Sequence, residues 1–261
     1  MTFVVYGNRI PVMAKVLNLQ IAADQNIPFA EACFSSIGKV SLHSGRDITP
    51  GTLQDADVLL VRSITPVNKA LLNGSPVRFV ATATIGMDHI DQEYLESRGI
   101  GFASAPGSNA DSVAEYVIAA LLALGNKYKF DLCGKTIGII GAGNVGSRVE
   151  SRCRALGMRP VLNDPPLARK TGLDKYRSLK EALDCDFVSL HTPLTHQGPD
   201  PTYHLADERF FAEIRQGAFF INTARGGVMD TAAVRAALAD GRLAGAVLDV
   251  WENEPCVDPD L

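Results

Sequence analysis

The run Thr136-Ile-Gly-Ile-Ile-Gly-Ala-Gly-Asn-Val-Gly146 constrains this chain more than any other part of it. Ile137, Ile139 and Ile140 read as a short buried strand. Gly141, Gly143 and Gly146 follow at G-x-G-x-x-G spacing, and Ser147 to Leu156 reads as a helix ending at Gly157. Pro160 to Leu162 is a second apolar strand, which ends on Asn163-Asp164 and places an acid 23 positions after Gly141. In a dinucleotide-binding βαβ unit the first glycine makes the turn and the second lets the backbone approach a pyrophosphate. The third lets helix and strand pack closely. The helix start then offers unpaired N–H groups and a positive dipole end to the phosphates. Asp164 can accept hydrogen bonds from ribose hydroxyls and would repel a 2′-phosphate, so NAD is favoured over NADP.

With 261 residues, 46% hydrophobic and 21% charged, the chain has the composition of a soluble globular protein of one large or two ordinary domains. A net charge of −4 gives no electrostatic reason to expect nucleic acid or an anionic membrane as a partner. No apolar run reaches the ~18–20 residues of a membrane span. The start, Met1-Thr-Phe-Val-Val-Tyr, lacks the features of a secretory signal, so a cytoplasmic location is expected. The five cysteines are scattered without C-x-x-C spacing, which argues against a disulfide framework and against a metal site.

Short apolar strands alternate with helical stretches, the mark of an α/β fold with doubly wound parallel sheets. Strands are expected at Gln20-Ile-Ala-Ala, Val58–Val61 and Phe79–Thr82, with helices at Pro28–Ser36 and Asp91–Ser97. Residues 1–19 fit this pattern poorly and read as an N-terminal extension. Ser108-Asn-Ala-Asp111 resembles a capping box with Asp in place of Glu. It opens a long apolar helix, Val113 onward, that is expected to stop at Gly125. The domain boundary is placed at the start of this helix, giving units 20–108 and 109–261. Beyond Asp164, helices are expected at Ser178–Leu183, Asp207–Ile214 and Thr231–Ala239, and strands at Phe187–Leu190, Ala218–Ile221 and Ala244–Leu248. The loops after these strands should line the same crevice as the glycine turn, because ligands of open α/β sheets bind at the C-terminal strand ends.

Several polar residues fall in such loops. Arg225, followed by Gly226 and Gly227, is either a bidentate grip for a carboxylate or a loop arginine held in a salt bridge. Glu254 and Asp249 lie in Asp-Val-Trp-Glu-Asn-Glu254-Pro, and each is either a functional acid or a solvated loop carboxylate. Ser63 and Thr84 follow first-domain strands and offer hydroxyls to an anionic substrate, or simply cap turns. His43, His89, His191, His196 and His204 are all open as structural or functional groups.

These residues together resemble the D-isomer-specific 2-hydroxyacid dehydrogenases from about Gln20 onward. The motifs are Gly-Ala-Gly143-Asn-Val-Gly, His-Thr192-Pro-Leu, Ile-Asn-Thr-Ala-Arg225-Gly-Gly and Leu-Asp249-Val-Trp-Glu-Asn-Glu254-Pro. Subgroup cues are Val-Arg-Ser-Ile-Thr-Pro-Val-Asn, Asn-Asp-Pro-Pro and the extended loop from His191 to Leu205. They imply a small phosphorylated 2-hydroxy acid as substrate, although a relative acting on another 2-hydroxy acid, or a non-catalytic NAD-binding relative, shares most of these motifs. By position, the resemblance implies that Arg225 binds and polarises the substrate and that Glu254 pairs with a catalytic histidine. It implies NAD contacts from Gly141, Gly143, Asn144, Val145, Gly146, Asp164, Thr192 and Asp249, and substrate contacts from Ser63 and Thr84 in a substrate domain. Two Rossmann-like domains are expected. The family's acid/base histidine follows the Trp-Glu-x-Glu-Pro loop in a Pro-His motif, and none of the five histidines holds that place. On this resemblance the second domain is expected to be incomplete, without its last strand and the segments beyond it. Activity of the polypeptide alone is expected to be negligible. A homodimer is expected for the full-length family member.

Overall fold

The structure, a computed structural model, describes residues 18–84, 86–254 and 256–257. The chain divides into two compact units between Ser108 and Asn109.

In the first unit, β1 (Leu19–Asp24), α1 (Ala30–Phe34), β2 (Gly38–His43), β3 (Val58–Val61), α2 (Lys69–Leu72), β4 (Phe79–Thr82), α3 (Gln92–Ser97) and β5 (Gly101–Ala103) follow one another. The five strands pair in the order β2-β1-β3-β4-β5, all parallel. Alternate residues feed opposite faces of the sheet. Ile21, Ala23 and Leu60 pack into one apolar cluster, and Ala22, Leu59 and Val61 into the other.

The second unit opens with α4 (Ala110–Tyr128). It continues through β6 (Thr136–Ile140), α5 (Asn144–Ala155), β7 (Arg159–Asn163), α6 (Pro165–Thr171), α7 (Leu179–Leu183), β8 (Phe187–Leu190), α8 (Glu208–Glu213), β9 (Ala218–Asn222), α9 (Thr231–Ala239) and β10 (Leu243–Leu248). Its sheet runs β10-β9-β8-β6-β7, again parallel throughout. Every residue of β8 and β9 is buried, as expected of central strands covered by helices on both faces. Ile137, Ile139, Phe187, Phe219 and Ile221 line one face, and Ile140, Val188, Leu190, Ala218 and Phe220 the other. Counted from its own first strand, each sheet has the order 2-1-3-4-5. The winding therefore reverses between β1 and β3 in one unit and between β6 and β8 in the other.

Two local expectations are corrected. No capping box forms at Ser108–Asp111: the cap is Asn109, without a side-chain hydrogen bond. The Asp111 carboxylate instead binds Arg148 at 3.0 Å and Arg152 at 2.8 Å, tying α4 to α5. Nor does Gly125 end α4. The helix runs on to Tyr128 and closes at Lys129 in the left-handed conformation (φ 59°), whose N–H bonds the Gly125 carbonyl. Among the described residues no helix is long and apolar enough to cross a membrane.

Candidate functional site

The glycine turn sits at the switch point of the second sheet and is pinned on both sides. Gly141 donates its N–H to the Asn163 carbonyl at the end of β7 (2.8 Å), and His191, just past β8, donates to the Ile140 carbonyl (2.7 Å). Gly141 has φ 90°, and a Cβ there would stand 2.6 Å from the His191 oxygen. A Cβ on Gly146 would stand 2.0 Å from the Gly141 oxygen, so this glycine is required by the packing of α5 on its own turn. Gly143 differs. It is exposed, and a Cβ there would meet no atom of the described residues within 4 Å. It caps α5, whose first turn begins at Asn144 and Val145, has no side-chain cap and carries no acidic residue. Two of the three glycines thus answer to the protein interior, and the third faces open space at a helix N-terminus suited to an anion.

Asp164 ends β7 and caps α6. Its two carboxylate oxygens each hold one backbone N–H, from Leu167 at 2.9 Å and from Ala142 in the glycine turn at 2.8 Å. A carboxylate has room for further donors beyond these two. On the other side of the turn, the Thr192 hydroxyl is buried and has no hydrogen-bond partner among the described residues. A buried hydroxyl without a partner costs about 1–3 kcal/mol, so this one invites a polar ligand atom.

The loops after β9 and β10 meet. A Cβ on Gly226 would lie 2.0 Å from the Trp251 carbonyl oxygen, so only glycine allows the Arg225 turn to lie against the Trp251 loop. Arg225 is half-buried, and its guanidinium donates to the Ala224 carbonyl at 2.7 Å. The buried Asn222 braces the turn by donating to the Arg225 carbonyl (3.1 Å) and accepting from the Ala224 N–H (3.0 Å). Asp249 continues the ladder, its backbone N–H donating to the Asn222 carbonyl at 3.0 Å. Burial, and next the nearby Glu254, raise its carboxyl above the usual range. Glu254 accepts from the Trp251 N–H within its own loop at 2.7 Å.

His191 contacts the Ser189 hydroxyl at 2.9 Å and the Thr223 hydroxyl at 3.4 Å, and burial pushes its pKa down to about 4. One pair went unseen in the sequence. His204 lies 2.7 Å from Glu252, whose other oxygen accepts from the Thr231 N–H at the start of α9, also at 2.7 Å. Burial raises the Glu252 carboxyl, but the Thr231 and His204 hydrogen bonds outweigh it and hold the group below its ordinary value.

In the first unit Ser63 is exposed after β3. Thr84, after β4, bonds the Thr82 hydroxyl at 2.9 Å, and that hydroxyl also meets His89 Nε2 at 3.1 Å. Arg62, beside Ser63, reaches the fully buried Asp24 carboxylate at 3.0 Å, a link between β1 and β3 that sequence reading also missed.

Residues 122–261 match the sequence model of the D-isomer specific 2-hydroxyacid dehydrogenase NAD binding domain. The chain belongs to this family. Among its relatives, the erythronate-4-phosphate dehydrogenase of Salinibacter ruber is 51% identical over 249 residues, which cover 94% of this chain and 64% of that protein. The enzyme of the same name from Cronobacter sakazakii is 47% identical over 244 residues, covering 93% and 65%. The chain thus spans just under two-thirds of the length of these relatives. Among solved structures, the D-lactate dehydrogenase from Aquifex aeolicus, complexed with NAD and lactic acid, matches with a TM-score of 0.75 at 28% identity. It covers 90% of this chain and 78% of that one. The TT0316 protein from Thermus thermophilus matches at 0.78 and 28%, covering 92% and 84%.

Residues 122–261 match the family's NAD-binding domain, and the geometry within the second unit fits that cofactor. The gap at Gly143, the uncapped start of α5 and the orphaned Thr192 hydroxyl are what a bound dinucleotide would use. Among the described residues no cluster of His, Cys, Asp and Glu is arranged to hold a metal ion.

Proposed function

We propose that the chain serves NAD-dependent oxidation of 4-phospho-D-erythronate to its 2-oxo acid, a step of pyridoxal 5′-phosphate synthesis, in a cytoplasmic enzyme that is a homodimer at full length. The observation that carries the reading is the glycine turn with Gly143 open to a ligand, in a sheet whose neighbouring strands deliver Arg225, Asp249 and Glu254 from their C-terminal ends. The choice of substrate rests on the names of the relatives.

In this reading the N–H groups of Asn144 and Val145 hold the pyrophosphate, Asp164 accepts from the ribose hydroxyls, and Thr192 and Asp249 contact the rest of the cofactor. Ser63 and Thr84 contact the substrate. Arg225 grips the substrate carboxylate with its planar fork and draws electron density from the 2-oxygen. NAD held by these residues would supply the acceptor for the hydride at C2. The hydroxyl proton needs an acceptor, and Glu254 is the carboxylate that would orient one. The described histidines are engaged elsewhere: His43 with Ser41, His89 with Thr82, His191 with Ser189, His204 with Glu252, and His196 against Tyr203.

Calorimetric titration tests the reading. The chain should bind NAD at least ~10-fold more tightly than NADP, the ~1.4 kcal/mol expected of a repelled 2′-phosphate. Loaded with cofactor, it should bind 4-phospho-D-erythronate in preference to 3-phosphoglycerate and D-lactate. Preference for NADP would overturn the cofactor roles, and preference for another acid would overturn the substrate.

A further inference from the structure

We propose that His204 is a positioning residue: its imidazole, bonded to Glu252, locks the Trp251–Glu254 loop against the Arg225 turn. Its importance for cofactor binding rests on the function proposed above.

His204 touches both segments at once. Its backbone N–H donates to the Gly227 carbonyl at 2.9 Å, two residues past Arg225, while its ring reaches Glu252 at 2.7 Å. Glu252 in turn holds the Thr231 N–H at 2.7 Å, so one carboxylate joins the loop to α9 and to the long loop after β8. The backbone at His204 is left-handed, φ 50°, a region that asparagine, aspartate and histidine enter more readily than other non-glycine residues. The Tyr203 ring stacks on the imidazole at 4.0 Å between centroids and 14° between planes, which fixes the ring's orientation.

The lock matters because the loop lies beyond the last ladder bond of the described sheet. β10 pairs with β9 alone among the described strands, and the last ladder bond is Asp249 to Asn222. Beyond it, Trp251 to Glu254 is placed by side chains and by the glycine contact at Gly226. Arg225 and Asp249 stand on the two segments that His204 joins. A displacement of one against the other by ~1 Å is enough to cost ~100-fold in a site that depends on alignment.

Trp251 is the only tryptophan in the sequence and lies in the locked loop, so its emission reports the lock without any ligand. Asparagine tolerates the left-handed backbone and is too short to reach Glu252, whereas glutamine carries a donor near the position of Nε2. His204→Asn should shift Trp251 emission to the red, raise its quenching by acrylamide at least ~2-fold and weaken NAD binding ~10-fold, the scale of one lost charge-assisted hydrogen bond. His204→Gln should restore most of each. Should His204→Asn not fold, Glu252→Ala breaks the same bond from the other side and carries the same readings. Unchanged emission and quenching in the bond-breaking variant would overturn the proposal, as would a shifted emission with unaltered NAD affinity. Failure of the unsubstituted chain to bind NAD would instead overturn the proposed function, and the emission readings would still decide whether the lock exists.

Discussion

The Asp164 carboxylate reaches from the end of β7 into the glycine turn and accepts the Ala142 N–H at 2.8 Å, while its second oxygen caps α6 through Leu167. One side chain therefore shapes the glycine turn and starts the next helix, and in the proposed function it would present its charge to a ribose. Asp164→Ala should lower stability by ~1 kcal/mol through the lost cap. It should also weaken NAD binding by ~10–100-fold through the lost charged acceptor, and narrow the preference over NADP. Chemical denaturation and calorimetry measure the two effects separately; unaltered NAD affinity would remove Asp164 from the cofactor site.

The glycines Gly143 and Gly146 should respond to alanine in opposite ways. A Cβ at Gly146 meets the Gly141 oxygen at 2.0 Å, so Gly146→Ala should cost ~1–3 kcal/mol of stability. A Cβ at Gly143 meets nothing, so Gly143→Ala should leave stability within ~0.5 kcal/mol of the parent and still weaken NAD binding ~10-fold or more. If Gly143→Ala binds NAD normally, the open space there is not a pyrophosphate site.

Thr192→Val replaces a buried, unpartnered hydroxyl with a methyl of the same shape. The ligand-free chain should gain ~1 kcal/mol while its NAD affinity falls ~5–10-fold. Loss of stability on this substitution would mean that the hydroxyl already serves the protein.

Burial holds His191 neutral, with a pKa of about 4 against 6.5 for the free side chain. Its folded value is depressed, so an unfolded chain takes up a proton that the folded one refuses. The resulting stability is full above pH ~6.5 and is lost as the pH falls toward ~4, a total of up to ~3 kcal/mol. Urea midpoints at about pH 7.5, 5.5 and 4.5 should fall in that order. His191→Gln should flatten the decline, and an undiminished slope would assign it to other groups.

Much of this arrangement was legible in the sequence where one element decides its own fate. β3, β4, β8 and α9 lie at the bounds their residues suggest, because an unbroken apolar run or a capped helical period needs no distant partner to be recognised. β2 was missed because it is a half-exposed edge strand, Gly-Lys-Val-Ser-Leu-His, with no buried position along it. α6 was missed because Pro165-Pro166 reads as a helix breaker, yet proline is tolerated in the first turn, where its absent N–H has no partner to lose. The Asp111 reading failed for a related reason: a cap is local, but Arg148 and Arg152 lie 37 and 41 residues away and compete for the same carboxylate. His204 and Glu252, 48 residues apart, share no period or motif that announces their contact. The glycine spacing indicated a dinucleotide, but only the structure separates the glycine that faces open space from the two that pack inward.

The turn at Gly141 is fastened to β7 through Asn163 and to β8 by the bond from His191 to Ile140. Both neighbours are parallel to β6, and each arrives only after a long crossover, so neither fastening can close early as the chain collapses. The nucleotide cradle is accordingly expected among the later features to assemble, which substitutions at Asn163 that speed unfolding without slowing folding would bear out. A ligand that needs the finished cradle has nothing to hold in a half-formed chain. It would act as a brake on unfolding rather than as a template for folding, lengthening the life of the native state and leaving the speed of its arrival unchanged.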